Sequence, residues 1–476
     1  MIALARLVAA LAVLLAAPGP APAQDPAPGE SFAELDQAAK ALREGRPDEA
    51  LALINEGARR HPEWPPSRLI LARIYFAIGQ NAPGRQALEA SIVEEPDNPD
   101  IILTFASVNL NEGRLHDAQL NCEKALTLAD RMPADSDKAR NTRKEAYAGL
   151  AGVSENRGQW DQARGHLRSW LEIDPKSGAA RQRLGRALFQ LGRKDEAFAE
   201  MTRGNKDDAK LDPAAVTMAI LSAQSGDAKA AREWYDRAIK GEPDSLPARL
   251  SYSRWLVEQG EYRPALAQAD EAARIDANSK EVAKLRGQIT WRERDFPAAE
   301  AIFDKIHAET PTDIGASCLL ALSLVEQEDS AKRARGLQLA EATVQAAQTV
   351  ETLSTLARAQ YRAGKLDDCE QTLGRASGMG NGQISADTAF FAARLMADRG
   401  RVDQARSLLQ SIIALPAGSF AYRNEAEELL KKLDAGEGKE AEKATTKEAA
   451  KGATKSATPA PKGAPADKKA TPKKGE

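Results

Sequence analysis

The sequence predicts an all-α chain built from stacked helix hairpins, and three observations lead there. A glycine returns every 34 residues, at Gly45, Gly79 and Gly113 and again at Gly158, Gly192, Gly226 and Gly260, and a fixed period of that length marks a repeat architecture. Seven of eleven periods carry a small residue five positions after the glycine, often with a proline twelve positions further on, as in Gly226, Ala231 and Pro243. The third observation is compositional: 42% hydrophobic and 28% charged residues at a net charge of −3 suit a soluble helical protein and argue against a whole-domain nucleic-acid binder.

Each recurring residue has a mechanical reason. The glycine reaches the left-handed backbone conformation that closes a first helix and lets the chain reverse into a second. Small residues sit where those two helices approach most closely, as Ala151 with Ala163 or Ala219 with Ala231. Proline restricts the residue before it and fits a first helical turn, so Pro62, Pro96, Pro175, Pro243 and Pro311 end one unit and open the next. The runs Leu184, Gly185, Leu188, Gly192, Ala197 and Ala219, Gly226, Ala231, Ala238, Pro243 resemble the tetratricopeptide repeat over roughly residues 31–433. The resemblance implies a right-handed α-solenoid of about eleven helix-turn-helix repeats, starting near 31, 65, 99, 144, 178, 212, 246, 280, 314, 350 and 386.

The register slips in three places. Eleven extra residues lie between Gly113 and Gly158, around Arg131 to Arg143, and read as an extended helix or a protruding loop. In the eighth repeat Arg294 replaces the glycine, while Gly287, Ala299, Phe303 and Pro311 keep their places. In the ninth, Asp329 to Arg335 disturbs the turn. Gly364 and Gly400 then restore the pattern, with Ala376 and Ala405 in register, and Phe420 to Leu433 reads as a closing helix over the last core face.

The two ends lie outside the array. Arg6, the apolar run Leu7 to Ala17, and the small-x-small site Ala21, Pro22, Ala23 read as a secretory signal peptide over 1–23, cut before Gln24 and followed by a linker, 24–30. An uncleaved anchor is the rival, although the run is shorter than the ~20 residues a span needs. The exported chain then belongs in the periplasm or outside the cell, with no transmembrane span once mature. From Asp434 to Glu476 there is no aromatic or large aliphatic residue, which predicts a disordered tail. Seven lysines against Asp467 and Glu476 from Lys451 onward make its end basic, either a weak contact for an anionic envelope polymer or a solvated tail.

Catalytic chemistry is not indicated. His61, His116, His166 and His307 fall in different repeats without metal-ligand spacing, there is no phosphate loop, and Gly378, Gly380 and Gly382 follow a helix. No enzyme activity, metal, cofactor or sequence-specific nucleic-acid binding is expected. Cys122 and Cys369 fall at inward positions and read as buried free thiols, while Cys318 reads as the most exposed and reactive of the three.

The resemblance places function in the groove lined by the first helices. It puts Arg73, Arg186, Arg254, Arg358 and Arg394 at position 9, Lys284 at 5, Arg292 and Arg362 at 13, and Phe76, Phe189, Trp291 and Tyr361 at 12. Arginine beside an aromatic suits a partner that carries carboxylates and an apolar body, such as an extended acidic peptide segment. Alternatively, these cations pair with glutamate or aspartate of the neighbouring repeat and the position 12 aromatics are packing residues. Leu69, Leu103 and Gln182 at position 5 depart from the family's clamp for C-terminal carboxylates. Three functional classes stay open: a protein-interaction scaffold of the cell envelope, an envelope protein that binds cell wall or acidic glycan, and a subunit that positions substrate for a separate enzyme.

Overall fold

The computed structural model describes residues 33–436. The predicted signal peptide and linker, and nearly all of the predicted tail, lie outside the described residues. Within them the secondary structure is helical throughout, with no strand, and the chain forms two compact units that divide between Gly241 and Glu242.

The first unit holds six hairpins. They are α1 (Ala33–Arg43) with α2 (Pro47–Arg60), α3 (Ser67–Ala77) with α4 (Asn81–Glu94), α5 (Pro99–Asn111) with α6 (Leu115–Asp130), α7 (Asp137–Asn156) with α8 (Trp160–Ile173), α9 (Gly178–Gln190) with α10 (Lys194–Asp207), and α11 (Ala214–Gln224) with α12 (Ala228–Gly241). The second unit holds five: α13 (Leu246–Glu258) with α14 (Tyr262–Ile275), α15 (Lys280–Arg292) with α16 (Phe296–Glu309), α17 (Ile314–Val325) with α18 (Ser330–Ala346), α19 (Val350–Arg362) with α20 (Leu366–Met379), and α21 (Ala386–Asp398) with α22 (Val402–Ile413). A 3-10 turn over Ala417–Ser419 and α23 (Arg423–Asp434) follow.

The hairpin α9–α10 shows how sequence makes the unit. The Ser177 side chain accepts a hydrogen bond from Ala180 N and caps the start of α9. At the other end Gly192 sits at φ 77°, and Arg193 N donates to Leu188 O at 2.9 Å, closing the helix in a Schellman-type turn. The chain then reverses, and α10 packs so closely that a Cβ added at Gly185 would stand 2.5 Å from Met201 Cγ and 3.0 Å from Ala197 O. Ala163, Ala197 and Ala231 are each fully buried. Enlarging Ala197 to leucine is therefore expected to overpack this hairpin and cost about 1–3 kcal/mol. Native-state hydrogen exchange should show the loss in residues 178–207 and not in the second unit, because this hairpin packs chiefly on the helices next to it in sequence.

The same left-handed turn recurs at Gly45, Gly79, Gly113, Gly158, Gly226, Gly260, Gly364 and Gly400, and Arg294 adopts it without being glycine, at φ 68°. The degenerate eighth repeat thus keeps the geometry at the cost of strain that a side chain rarely accepts. The other slips resolve locally. The inserted residues lengthen α7 to 20 residues, with Ser136 as its N-cap, and leave only a short turn before it. In the ninth repeat Asp329 accepts hydrogen bonds from Ala331 N and Lys332 N, starting α18 at once.

Two expectations are corrected. The closing helix starts at Arg423, not Phe420: Phe420 is extended at φ −156°, ψ 157°, and the stretch through Tyr422 runs as irregular chain against the core. Cys318 is not the exposed thiol of the three. It is 1% exposed and burial raises its pKa, as burial pushes Cys122 and Cys369 up to about 12. On helix α17 nine of twelve residues are buried, so no position there faces water freely.

First helices of successive hairpins touch one another, as α1 with α3, α5 with α7, and α13 through α15, α17 and α19 to α21. They are enclosed on most sides, whereas an outer helix such as α14 buries only Ala265, Ala269 and Ala272 of its 14 residues. The row of first helices is the inner wall of each unit.

Candidate functional site

In the first unit the inner wall of α3, α5 and α7 opens into a cavity of about 530 Å³, lined by Arg73, Phe76, Leu103, Thr104, Val108 and Glu145 among others. Arg73 Nη2 donates to Thr104 Oγ1 at 3.3 Å. Desolvation in this concave wall lowers the Arg73 pKa, with Asp100 and Glu145 opposing, and raises that of Glu145, with Asp100 adding. A partly buried cation and an exposed carboxylate therefore flank an apolar floor. Further along, Arg186 is exposed on α9. Phe189 departs from the expected role: it is buried in the hairpin core, 6% exposed, with Lys194 Nζ 5.6 Å from its ring centroid.

In the second unit most of the predicted cations are engaged within the chain. Arg254 pairs with Glu281, Lys284 with Asp313, and Arg362 with Glu326. The alternative raised by the sequence, pairing with a neighbouring repeat, describes Arg254, whose partner lies in the following repeat, and Arg362, whose partner lies in the preceding one, while Lys284 pairs with the N-cap residue of α17. Arg292 Nη1 donates to the carbonyl of Gly418 at 3.1 Å. Arg394 lies 5.3 Å from the ring of Tyr361, whose hydroxyl donates to Asp398 at 2.7 Å. Burial, followed by that carboxylate, pushes the Tyr361 pKa up to about 12.

Trp291 and Arg358 are each only 4% exposed, so neither is open to a partner. What covers them is the chain itself. Arg358 Nη2 donates to the Tyr422 hydroxyl at 3.0 Å, and its guanidinium lies 5.1 Å, 5.0 Å and 5.3 Å from the rings of Trp291, Phe391 and Tyr422. Such cation–π stacking gains strength where water is excluded. Tyr422 in turn stacks on Phe390 at 5.2 Å and meets Phe391 edge-on at 5.1 Å. Burial raises its pKa, with the Arg358 charge working against the rise.

Sequence reasoning missed Glu145, Glu326, Asp387 and Tyr422. Glu326 stands at position 13 of its repeat, in register with Arg292 and Arg362, so an acid between two arginines was a readable signal. The run Pro416, Ala417, Gly418, Ser419 is turn punctuation that separates Phe420 and Tyr422 from the helix behind them. Among the described residues no three His, Cys, Asp or Glu side chains gather as a metal site, and no helix is long and apolar enough to cross a membrane.

The family model of the tetratricopeptide repeat matches residues 41–103, 156–219 and 222–289. Together with the 34-residue period and the helix hairpins it marks out, this makes the chain a tetratricopeptide-repeat protein. Type IV pilus assembly protein PilF of Pseudomonas aeruginosa is 27% identical over 45% of this chain and 86% of its own length. The putative cellulose synthase operon protein C of Escherichia coli O157:H7 is 27% identical over 53% of this chain, which spans only 22% of that protein. Among solved structures, a tetratricopeptide repeat protein from Parabacteroides merdae aligns at 16% identity and a TM-score of 0.35, covering 50% of this chain and 93% of that one.

Proposed function

We propose that the chain is a non-catalytic protein-interaction scaffold of the cell envelope, which holds an extended segment of a partner protein along the inner wall of its first unit. The cavity beside Arg73 carries the reading. A partner side chain with an apolar body would lie against Phe76, Leu103 and Val108, and a polar tip would meet Arg73 or Glu145. Arg254, Lys284 and Arg362 already hold carboxylates of their own chain, whereas Arg186 is exposed on its first helix. Envelope placement is supported by the N-terminal Arg6 and Leu7 to Ala17 pattern, and assembly work by the P. aeruginosa relative, named for type IV pilus assembly.

Affinity capture from an envelope fraction tests this with two variants. Ser107, exposed on the cavity lining, changed to tryptophan fills the space, and Arg73→Ser removes the cation. Each is expected to weaken capture of co-eluting proteins about tenfold or more, roughly 1.4 kcal/mol, while Arg254→Ser leaves it unchanged. Undiminished capture by both cavity variants would contradict the proposal.

A further inference from the structure

The stretch from Leu415 to Glu425 lies along the inner wall of the second unit and meets α13, α15, α19 and α21 in the manner of a bound peptide. Its main chain is held by side chains of the wall: Arg292 donates to Gly418 O at 3.1 Å, and Ala421 N donates to Asp387 Oδ1 at 2.7 Å. At Gly418 the approach is so close that an added Cβ would stand 2.3 Å from the carbonyl oxygens of both Val257 and Glu258. Two aromatic side chains on this stretch, Phe420 and Tyr422, are each 1% exposed.

Two further observations point the same way. Arg294, the strained replacement for the turn glycine, pairs with Glu425 and lies 5.2 Å from the Tyr422 ring, so the repeat departs from its pattern where this stretch arrives. Buried Trp291 Nε1 and Arg358 Nε have no hydrogen-bond partner among the described residues, although they line the place that Tyr422 fills. Unpaired buried donors are uncommon in a core, and these two belong to side chains in contact with the Tyr422 ring.

We propose that the inner wall of the second unit is a separate peptide-binding site, occupied in cis by residues 415–425, whose ligand class is an extended segment with glycine followed two and four positions later by phenylalanine and tyrosine. The tether holds its own segment at an effective concentration on the order of millimolar. A free segment of equal intrinsic affinity therefore enters only when the tethered one is displaced.

The test uses a fluorescein-labelled peptide of residues 414–427 and the full chain. Gly418→Val cannot seat its own segment, whereas the free peptide keeps its glycine. Fluorescence anisotropy is expected to show binding at least tenfold tighter to Gly418→Val than to the unaltered chain, and loss of that binding when Arg358→Ala is added. Equal affinity for the two chains, or no binding to a Gly418→Val chain of unchanged helical content, would overturn the proposal. Should Gly418→Val lose helical content, hydrogen exchange on the unaltered chain decides. An occupant opens by itself, so amides 418–422 should exchange at least tenfold faster than those of α21, and identical rates would show the segment to be inseparable from the core.

Discussion

Replacing Glu326 with alanine is expected to destabilise the second unit by about 3–5 kcal/mol, the usual cost of removing one partner from a buried ion pair. The Glu326 side chain is 1% exposed and its partner Arg362 is 21% exposed, so water reaches the arginine only in part once the carboxylate is gone. Burial by itself would lower the Arg362 pKa, and Glu326, joined by Tyr422 and Tyr361, more than offsets it. Without Glu326 a cation remains under the Phe391 ring, 5.2 Å away, and close to the Arg358 nest. Glu326→Gln keeps the shape and one acceptor and should cost less. Hydrogen exchange of the helices α17 and α19 measures both. A single melting temperature would not, since repeat arrays need not unfold in one step.

Tyr422→Ala should release the inner-wall segment. Truncating a fully buried aromatic costs about 3–5 kcal/mol, and Tyr422 touches Phe390, Phe391 and Trp291 as well as the Arg358 guanidinium. The cost falls on docking: amides 418–422 are expected to lose their protection, while α19 and α21 keep their helices. The first unit should be unaffected, because its core of residues such as Ile70, Leu88 and Ile101 lies within its own hairpins.

The fold was readable because its repeat is written in backbone requirements. A turn that needs positive φ selects glycine, and all nine glycines read as helix-closing residues adopt it. Close helix approach selects alanine, and Ala163, Ala197 and Ala231 are fully buried. The site was less readable, since position 9 says only which helix an arginine is on and not what it meets. Arg254 pairs with an acid 27 residues away and Arg362 with one 36 residues back, while Arg73 faces an open cavity from the same register. Arg358 meets Tyr422 across 64 residues of chain, a separation that no local periodicity encodes. Cys318 was misjudged for a related reason: the irregularity lies in the turn after α17, and the helix itself is enclosed.

A double-mutant cycle on Arg358 and Tyr422 tests most directly whether the chain's own segment lies on this wall. With Arg358→Ala, Tyr422→Ala and the pair measured by exchange of the second unit, residues in contact should show a coupling energy of about 0.5–3 kcal/mol. Effects that add to within about 0.3–0.5 kcal/mol would mean that the two side chains do not meet, and that the inner wall of the second unit is not held by residues 415–425.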